Sequence, residues 1–389
     1  MGIPEPNPPP PITTRDIIAV TTFLLIQAPW TILRTTLTHL TQIPNRPPLL
    51  KDLTRSLIRN AFKSLPLSIH NTSLNNYKPG SQTLSSPRYT HLKVHLFHPI
   101  HRPPFTAYWI TRGLSTQLPP NKADIVIYHM RGSGYALGHP AAHLPALLFL
   151  AEILEKRGLK PAIFSLDYTL AQNAPFPKQI DEALAAYGYL LEEEGIDPER
   201  ICLMGESAGG HLALAFLVAL SLSHSGVGAK YPRPGSAVLL SPWIDLLLES
   251  PRTRDLEKRD YMSGSFLRES GERVLSSDTD MRLRGLFGNF RTSSTRRGGW
   301  EAILPTRIWV SAGADEIFAD DIVGFVERAR GEGVAVELEV QGGKCHCWQS
   351  GEALLCQRKV LGMAMDEDGV EGMMPGLVGV AGAVAGFRV

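Results

Sequence analysis

A serine lies between glycines in the Gly-Glu-Ser-Ala-Gly motif at residues 205–209. Apolar residues 201–204 precede this motif, and a longer apolar run at 212–220 follows it. The order is typical of a strand, a sharp turn and a helix, in which small residues permit a backbone turn that a Cβ would block. Such a turn presents the hydroxyl of Ser207 beside a helix N-terminus, which favours negative charge. We therefore predict a nucleophilic serine, the alternative being a tight turn without chemistry.

A serine hydroxyl is a poor nucleophile until a base removes its proton, so the motif requires a histidine and a carboxylate that orients it. In proteins with this kind of turn, the acid and then the histidine follow the serine along the chain. His346 is the only histidine after residue 315 and follows a predicted strand. Asp315 and Glu316 lie in the loop that leaves the preceding strand, and either carboxylate satisfies the order. His346 is therefore the predicted base.

The same chemistry needs backbone N–H groups that bind the negative oxygen of the reaction intermediate, and each is worth about 3 kcal/mol. The residue after the nucleophile, Ala208, supplies one such group in this kind of turn. The Gly-Ser-Gly loop at 132–134 follows an apolar strand and precedes a helix, so it is the expected source of the other. The alternative for this loop is an ordinary glycine turn.

The composition excludes other classes of function. The chain has 389 residues, a net charge of +1 and 20% charged residues, so no basic surface indicates nucleic-acid binding. Four cysteines in a chain of this length do not form a disulfide framework. Cys345 and Cys347 flank His346, but no second cluster supplies the remaining ligands of a zinc site. We expect neither a metal nor an organic cofactor.

Apolar strands alternate with helices over most of the chain, which predicts an α/β protein with a mostly parallel sheet covered on both faces. Sites in such sheets lie at the carboxyl ends of the strands. The predicted strands are 90–97, 125–128, 162–166, 201–204, 237–240, 308–311 and 334–338, and the main predicted helices are 141–155, 177–194, 212–220 and 320–330.

The periodicity also divides the chain. Residues 1–40 contain a proline-rich leader, predicted to be disordered, and an apolar anchor or lid helix; residues 41–89 form a connecting or lid segment. Residues 90–365 form the predicted catalytic domain, with an insertion at about 246–300 that we expect above the strand ends. The glycine-rich apolar tail, 366–389, fits a packed helix, a membrane-touching tail or disorder.

The apolar stretch at 17–33 allows three interpretations, which are a membrane anchor, an interfacial helix and a helix of a lid. It is slightly short of the roughly 20 apolar residues that a span needs, and it does not resemble a secretory signal. We expect an intracellular protein, bound to a membrane such as the endoplasmic reticulum if this stretch contacts lipid, and cytoplasmic if it is a lid helix. Flanking residues that resemble an interfacial anchor are Trp30, Arg34, Arg46, Lys51 and Arg55.

Several motifs together resemble the hormone-sensitive-lipase-type branch of the α/β-hydrolases, which includes carboxylesterases, arylacetamide deacetylases and steryl acetyl hydrolases. The resemblance implies an α/β-hydrolase fold with a lid built from N-terminal and inserted segments. It implies Ser207, Asp315 and His346 as nucleophile, acid and base, so it favours Asp315 over Glu316. It implies oxyanion donors at Ser133, Gly134 and Ala208. The matching segments are 205–210, 167–171, 175–177, 241–246 and the loops of Asp315 and His346.

The chain departs from the family pattern at the oxyanion loop. The family has His-Gly-Gly-Gly where this chain has Arg131 followed by Gly-Ser-Gly. His129 lies two residues too early to replace the motif histidine. We expect Arg131 to make equivalent hydrogen bonds to backbone carbonyls, which would leave the N–H donors of the loop in place.

The predicted function is a serine carboxylester hydrolase that forms an acyl-enzyme on Ser207. From the resemblance and the apolar N-terminal segment we expect a small lipophilic ester, with a short acyl group such as acetyl on an apolar alcohol. One alternative is a tailoring hydrolase or acyltransferase in natural-product biosynthesis. Others are a non-catalytic relative that binds a small ligand, and cleavage of amides, since the triad chemistry is shared. The sequence does not indicate an oligomeric state.

Overall fold

An eight-stranded sheet forms the centre of the part of the chain that the computed structural model describes, residues 12–41, 47–74, 78–224, 231–276, 281–292, 297–365, 367 and 369–387. In space the strands follow the order β1-β2-β4-β3-β5-β6-β7-β8. They are β1 (His98–Arg102), β2 (Phe105–Thr111), β3 (Ile125–Met130), β4 (Pro161–Leu166), β5 (Ile201–Glu206), β6 (Ser236–Leu240), β7 (Arg307–Gly313) and β8 (Val336–Gln341).

The central strands are apolar because both faces of the sheet are covered. Every residue of β3, β4, β5 and β6 is buried. The strands from β3 to β8 pair in parallel, while β1 and β2 add an antiparallel edge. The predicted mostly parallel α/β sheet is therefore confirmed. The carboxyl ends of β5, β7 and β8 lie along one edge, where a site is expected.

Two layers of helices bury the sheet in separate apolar clusters. Helices α7, α8 and α13 contribute to one cluster, and α6, α14 and α16 contribute to the other. Their bounds are α6 (Pro140–Lys156), α7 (Lys178–Glu192), α8 (Ala208–His224), α13 (Ala319–Gly331), α14 (Trp348–Val360) and α16 (Pro375–Gly386), with a short α15 (Val370–Met373) before the last. The glycine-rich tail, for which the sequence left three alternatives, is thus a packed helix, in which Leu377, Val380 and Val384 are buried.

The predicted strand at 90–97 is wrong. Residues Thr90–His95 form a 3₁₀ helix, and the first strand starts only at His98. The apolar alternation there does not line one buried face, since Val94 is 70% exposed. The edge of the sheet is taken instead by the β1–β2 hairpin, whose prolines obscured its strand pattern in the sequence.

The N-terminal segment is a long helix with its polar side toward the protein. The helix continues from Thr14 to Thr41, beyond the predicted stretch 17–33, and by length and composition alone it is long and apolar enough to cross a membrane. Asp16 accepts a hydrogen bond from Ser68 (2.7 Å), and Asn60 donates one to Thr31 (2.8 Å). The predicted disordered leader, residues 1–11, lies outside the described residues. The helices of this region are α1 (Thr14–Thr22), a π-helical turn (Phe23–Gln27), α2 (Ala28–Thr41), α3 (Leu49–Ser64), α4 (Leu67–Leu74) and α5 (Lys78–Leu84).

The insertion, residues 246–300, leaves the sheet after β6 and returns at β7. The structure places it against the carboxyl edge of the sheet, since Asp260 binds the backbone N–H groups of Ile317 and His346. It also packs on α3, where Phe62 and Phe266 lie with ring centroids 5.1 Å apart. The helices of the insertion are α9 (Thr253–Glu257), α10 (Gly264–Val274), α11 (Met281–Phe287) and α12 (Trp300–Ile303).

The turn from β5 into α8 leaves no room for a side chain at Gly209. A Cβ there would lie 2.0 Å from the carbonyl oxygen of Met130 and 2.4 Å from that of Arg131. We predict that Gly209→Ala lowers the free energy of unfolding by about 3 kcal/mol, because the backbone of the sheet cannot move away. Urea unfolding followed by tryptophan fluorescence measures this change.

Gly351→Ala is the matched control, because a Cβ on Gly351 of α14 meets nothing within 4 Å. We expect it to leave stability unchanged or to raise it by up to about 1 kcal/mol, since alanine favours the helix. Equal stability losses in both variants would contradict the packing described for the turn.

Candidate active site

Ser207 lies at the apex of the turn between β5 and α8. Its backbone is left-handed, with φ of 53°, which an ordinary side chain adopts only under constraint. The constraint comes from hydrogen bonds on both sides, since Ser207 N–H donates to Leu240 (2.9 Å) and its carbonyl accepts from Trp243 (3.0 Å). The turn therefore holds the hydroxyl at the carboxyl edge of the sheet, as predicted for a nucleophile elbow.

His346 follows Ser207 by 139 positions in the sequence, and the structure places its Nε2 2.8 Å from the serine Oγ. Nδ1 lies 3.8 Å from Glu316 Oε1, so a ring proton on Nδ1 would face this carboxylate and leave Nε2 to accept from the serine hydroxyl. Among the described residues, neither Nδ1 nor Oε1 has a hydrogen-bond partner. Both side chains are buried, so these two atoms are positioned to pair with each other.

Glu316 is fixed in place by its other oxygen. Oε2 accepts hydrogen bonds from the Ser241 hydroxyl (2.7 Å) and from the N–H of Gly313 (2.8 Å). The Ser241 oxygen in turn accepts from the N–H of Cys347 (3.1 Å), next to the histidine. One hydroxyl after β6 therefore joins the acid loop to the histidine loop.

Asp315, which the family resemblance favoured as the orienting acid, is placed elsewhere. Its Oδ2 accepts a hydrogen bond from Arg55 of α3 at 3.0 Å, and its Oδ1 lies 3.9 Å from Arg259. Adjacent residues of a loop point in different directions, and it is Glu316 whose carboxylate faces the imidazole. The structure therefore places Glu316, and not the predicted Asp315, opposite the imidazole of His346.

The environment raises the pKa of His346. Burial, the largest single effect, lowers this pKa from its usual 6.5, but the facing carboxylate of Glu316 and the charges of Asp260 and Glu206 together outweigh burial. The protonated imidazole is thereby stabilised, as a general base requires. As the pH falls through the raised pKa, His346 becomes protonated and no longer accepts the serine proton.

The predicted oxyanion loop lies beside the serine. Ser133 and Gly134 are both left-handed, with φ of 82° and 63°. A Cβ on Gly132 would lie 3.3 Å from the Cβ of Ser207, so the loop approaches the nucleophile closely. Within the described residues, no acceptor is bonded to the N–H groups of Ser133, Gly134 or Ala208. These three donors are therefore available to a ligand oxygen.

Arg131 holds this loop, as the sequence led us to expect. Its guanidinium donates to the carbonyls of Leu137 (2.7 Å) and Tyr168 (3.1 Å) and stacks on the Tyr168 ring at 4.1 Å. The Tyr168 hydroxyl donates back to the carbonyls of Arg131 and Gly132, each at 3.1 Å. His129 is hydrogen-bonded to the Ser165 hydroxyl inside the sheet and does not hold the oxyanion loop.

Two residues of the predicted interfacial flank, Arg55 and Lys51, bind the loops beside the site. Arg55 is 4% exposed and donates to Asp315 and to the carbonyl of Gly343 (2.8 Å), and Lys51 also donates to Gly343 (2.6 Å). No local pattern in the sequence indicates these contacts, because α3 lies more than 250 positions before the loops it binds.

The cysteines beside the histidine are thiols with raised pKa values. Burial raises the pKa of Cys345 to about 11 and that of Cys347 well above its usual value. The described ranges contain no group of three or more cysteine, histidine or acidic side chains arranged to hold a metal.

A family model described as the alpha/beta hydrolase fold matches residues 125–350. An acetyl-hydrolase of Streptomyces hygroscopicus is 30% identical over 62% of this chain and 72% of its own length. A Schizosaccharomyces pombe protein with the provisional name steryl acetyl hydrolase is 27% identical over 72% of this chain and 71% of its own length. A solved hormone-sensitive lipase from a metagenome library has a TM-score of 0.61 at 22% identity, covering 87% of this chain and 98% of that one.

Glu316→Gln tests which carboxylate serves the histidine. Removing the facing charge lowers the pKa of His346, so the rise in Ser207 reactivity with pH moves to lower pH. The maximal rate of reaction with a fluorophosphonate falls roughly a thousandfold, because the imidazolium loses its stabilising partner. The measurement is the rate of covalent labelling as a function of pH.

Asp315→Asn, at the neighbouring position, is the matched control. We expect it to leave the midpoint of the pH profile in place and to slow labelling by less than about tenfold, because Asp315 pairs with Arg55. A midpoint that moves in Asp315→Asn and stays in Glu316→Gln would reverse the assignment.

Proposed function

The chain belongs to the hormone-sensitive-lipase-type branch of the α/β-hydrolases and is an ester-hydrolysing serine hydrolase. On that premise, we propose that it cleaves acetyl or other short-acyl esters of a bulky apolar alcohol through an acyl-enzyme on Ser207. The observation that carries the mechanism is the 2.8 Å contact between the Ser207 hydroxyl and His346 at a left-handed turn.

In the acylation step, His346 Nε2 takes the proton of Ser207 as Oγ attacks the ester carbonyl. The carbonyl oxygen becomes negative and is bound by the N–H groups of Ala208, Ser133 and Gly134. Glu316 stabilises the imidazolium that forms and keeps its Nδ1–H directed away from the serine. The intermediate collapses when His346 gives the proton to the departing alkoxide.

In the deacylation step, water replaces the alcohol. His346 removes a proton from this water, which attacks the acyl carbonyl on Ser207, and the same N–H groups bind the second oxyanion. His346 then returns the proton to Ser207 Oγ as the carboxylic acid leaves. In each step the same imidazole first accepts and then donates a proton, so its raised pKa affects the rate of both steps.

Two observations support an apolar substrate with a small acyl group. Relatives of the chain are named acetyl hydrolases, one of them for steryl esters. The site is also enclosed, since Ser207 is 5% exposed and His346 is 3% exposed. The insertion covers the site and places Phe266 against the oxyanion loop. The Phe266 ring lies 3.4 Å from the position that a Cβ on Gly134 would take. An apolar cover must move aside for the substrate and favours an apolar alcohol.

We also propose that helix 14–41 lies on a membrane surface. Only 6% of the most apolar 18-residue stretch of this helix is buried. Leu25, Ile26 and Trp30 are 72%, 64% and 63% exposed. Its polar side is bonded to the protein through Asp16 and Thr31, so its apolar side is the one that faces outward. An outward apolar helix fixed along the domain suits the interface of a bilayer better than a span. Esters dissolved in that bilayer would then be close to the cover.

A series of p-nitrophenyl esters from acetate to decanoate tests the acyl preference. We expect kcat/KM to be highest for acetate or butyrate and to fall at least about tenfold by decanoate, because an enclosed acyl site rejects added methylenes. Ser207→Ala removes the hydrolysis. A preference for long chains would contradict the short-acyl proposal, and stoichiometric serine labelling without turnover of simple esters would favour the tailoring alternative.

Flotation with phosphatidylcholine vesicles tests the membrane contact. The wild-type protein should float with the vesicles, and the double variant Leu25→Gln/Ile26→Gln should bind at least about tenfold more weakly, because two exposed apolar side chains no longer enter the bilayer. The control is Leu354→Gln/Leu355→Gln on α14, where the leucines are 67% and 86% exposed. Equal loss in both double variants, or no binding of the wild type, would contradict the proposal.

A further inference from the structure

A second buried carboxylate lies beside the histidine and is not part of the predicted triad. Asp260, in the insertion between α9 and α10, is fully buried. Its Oδ2 accepts a hydrogen bond from the N–H of Ile317 (2.8 Å), and its Oδ1 accepts from the N–H of His346 (3.2 Å) and of Tyr261 (2.7 Å). One side chain therefore binds the residue after Glu316 and the histidine itself.

The two loops share a backbone hydrogen bond from the N–H of Asp315 to the carbonyl of Lys344 (2.9 Å), and Asp260 adds one bond to each loop, next to Glu316 and at His346. The acid loop follows β7 and the histidine loop follows β8, and each needs its backbone held so that the side chains face one another. The Ser241 hydroxyl joins the loops from the side of β6. Asp260 joins them from the side of the insertion, so both catalytic side chains are held from two directions.

The position of Asp260 is itself fixed by α3. Arg59 donates to the carbonyl of Asp260 and to that of Glu257 (2.8 Å). Arg55 donates to the carbonyl of Arg259 (2.9 Å), one residue before the aspartate. The N-terminal helices are thus connected to the histidine through two arginines and one carboxylate.

We propose that Asp260 is a positioning residue for the ester hydrolysis, which sets the separation of Glu316 and His346 by binding the backbone of both loops. This inference rests on the proposed function, because it needs His346 to act as the base. It assigns to the insertion a role in the chemical step in addition to covering the site. Because Arg55 and Arg59 of α3 bind the backbone at Arg259 and Asp260, the position of α3 also affects the rate of ester hydrolysis.

The charge of Asp260 also affects how the rate of hydrolysis depends on pH. Three carboxylates face His346, which are Glu316, Asp260 and Glu206, and each raises the pKa of the imidazole. Removing one of them lowers that pKa, so the acidic limb of the pH profile moves to lower pH. A residue that only stabilised the fold would leave this limb in place. The groups that face Asp260 are Glu316, His346, Cys345, Cys347, Arg59 and Tyr261.

The test compares Asp260→Asn with Asp260→Glu in the full chain, with p-nitrophenyl acetate as the substrate. The asparagine has one acceptor oxygen and an NH₂ group that opposes a backbone donor, so one loop is released. We expect kcat to fall by about tenfold or more, KM to stay within about twofold of wild type, and the acidic limb to move to lower pH. Asp260→Glu keeps the charge but displaces both oxygens, so the limb stays in place while kcat remains at least about threefold low.

Asp255→Asn is the control, because Asp255 lies in the same insertion and pairs with Lys258 on the surface. It should match the wild type in kcat and in the pH profile. Wild-type kcat and an unmoved limb in folded Asp260→Asn would overturn the inference. If Asp260→Asn does not fold, wild-type kcat in Asp260→Glu overturns it. A wild type that neither hydrolyses esters nor reacts at Ser207 would overturn the proposed function itself.

Discussion

The left-handed turn at Ser207 is the constraint on which the rest of the structure depends. A side chain at φ of 53° is held there by hydrogen bonds to β6 and to the segment after it. The turn fits only because Gly205 and Gly209 have no Cβ, which would lie 2.4 Å and 2.0 Å from backbone oxygens. This close packing aims the hydroxyl at the carboxyl edge of the sheet. Apart from the N–H of Ala208, which directly follows the serine, every other functional group has to reach that point from another strand end.

Parallel strands make this convergence possible, because the loops after β3, β5, β6, β7 and β8 all open at one edge. The strands alone do not set the loops to within the fraction of an ångström that proton transfer requires. That precision comes from buried polar groups. The Ser241 hydroxyl and Asp260 join the acid and histidine loops, and Arg131 ties the oxyanion loop to Tyr168. The Ser241 hydroxyl, the Asp260 carboxylate and the Arg131 guanidinium each make at least two hydrogen bonds, which offset the cost of burying them.

The sequence was sufficient where chemistry is local along the chain. The glycines around Ser207 and the small residues at 132–134 each constrain the backbone within a few positions. Asp315 and Glu316 could not be separated in this way, because they are adjacent and the deciding contacts come from Ser241 and from Arg55, 260 positions away. The pattern at 90–97 was misleading for a related reason, since a strand also needs a free sheet edge, and the hairpin that follows occupies it.

The central claim is that Ser207 is the activated nucleophile, and intact-mass analysis after treatment with a fluorophosphonate tests it most directly. The account predicts one adduct per chain, located on the peptide that contains Ser207, and no adduct in Ser207→Ala or His346→Ala. A folded wild-type protein that forms no adduct, or that carries it on another residue, would contradict the account.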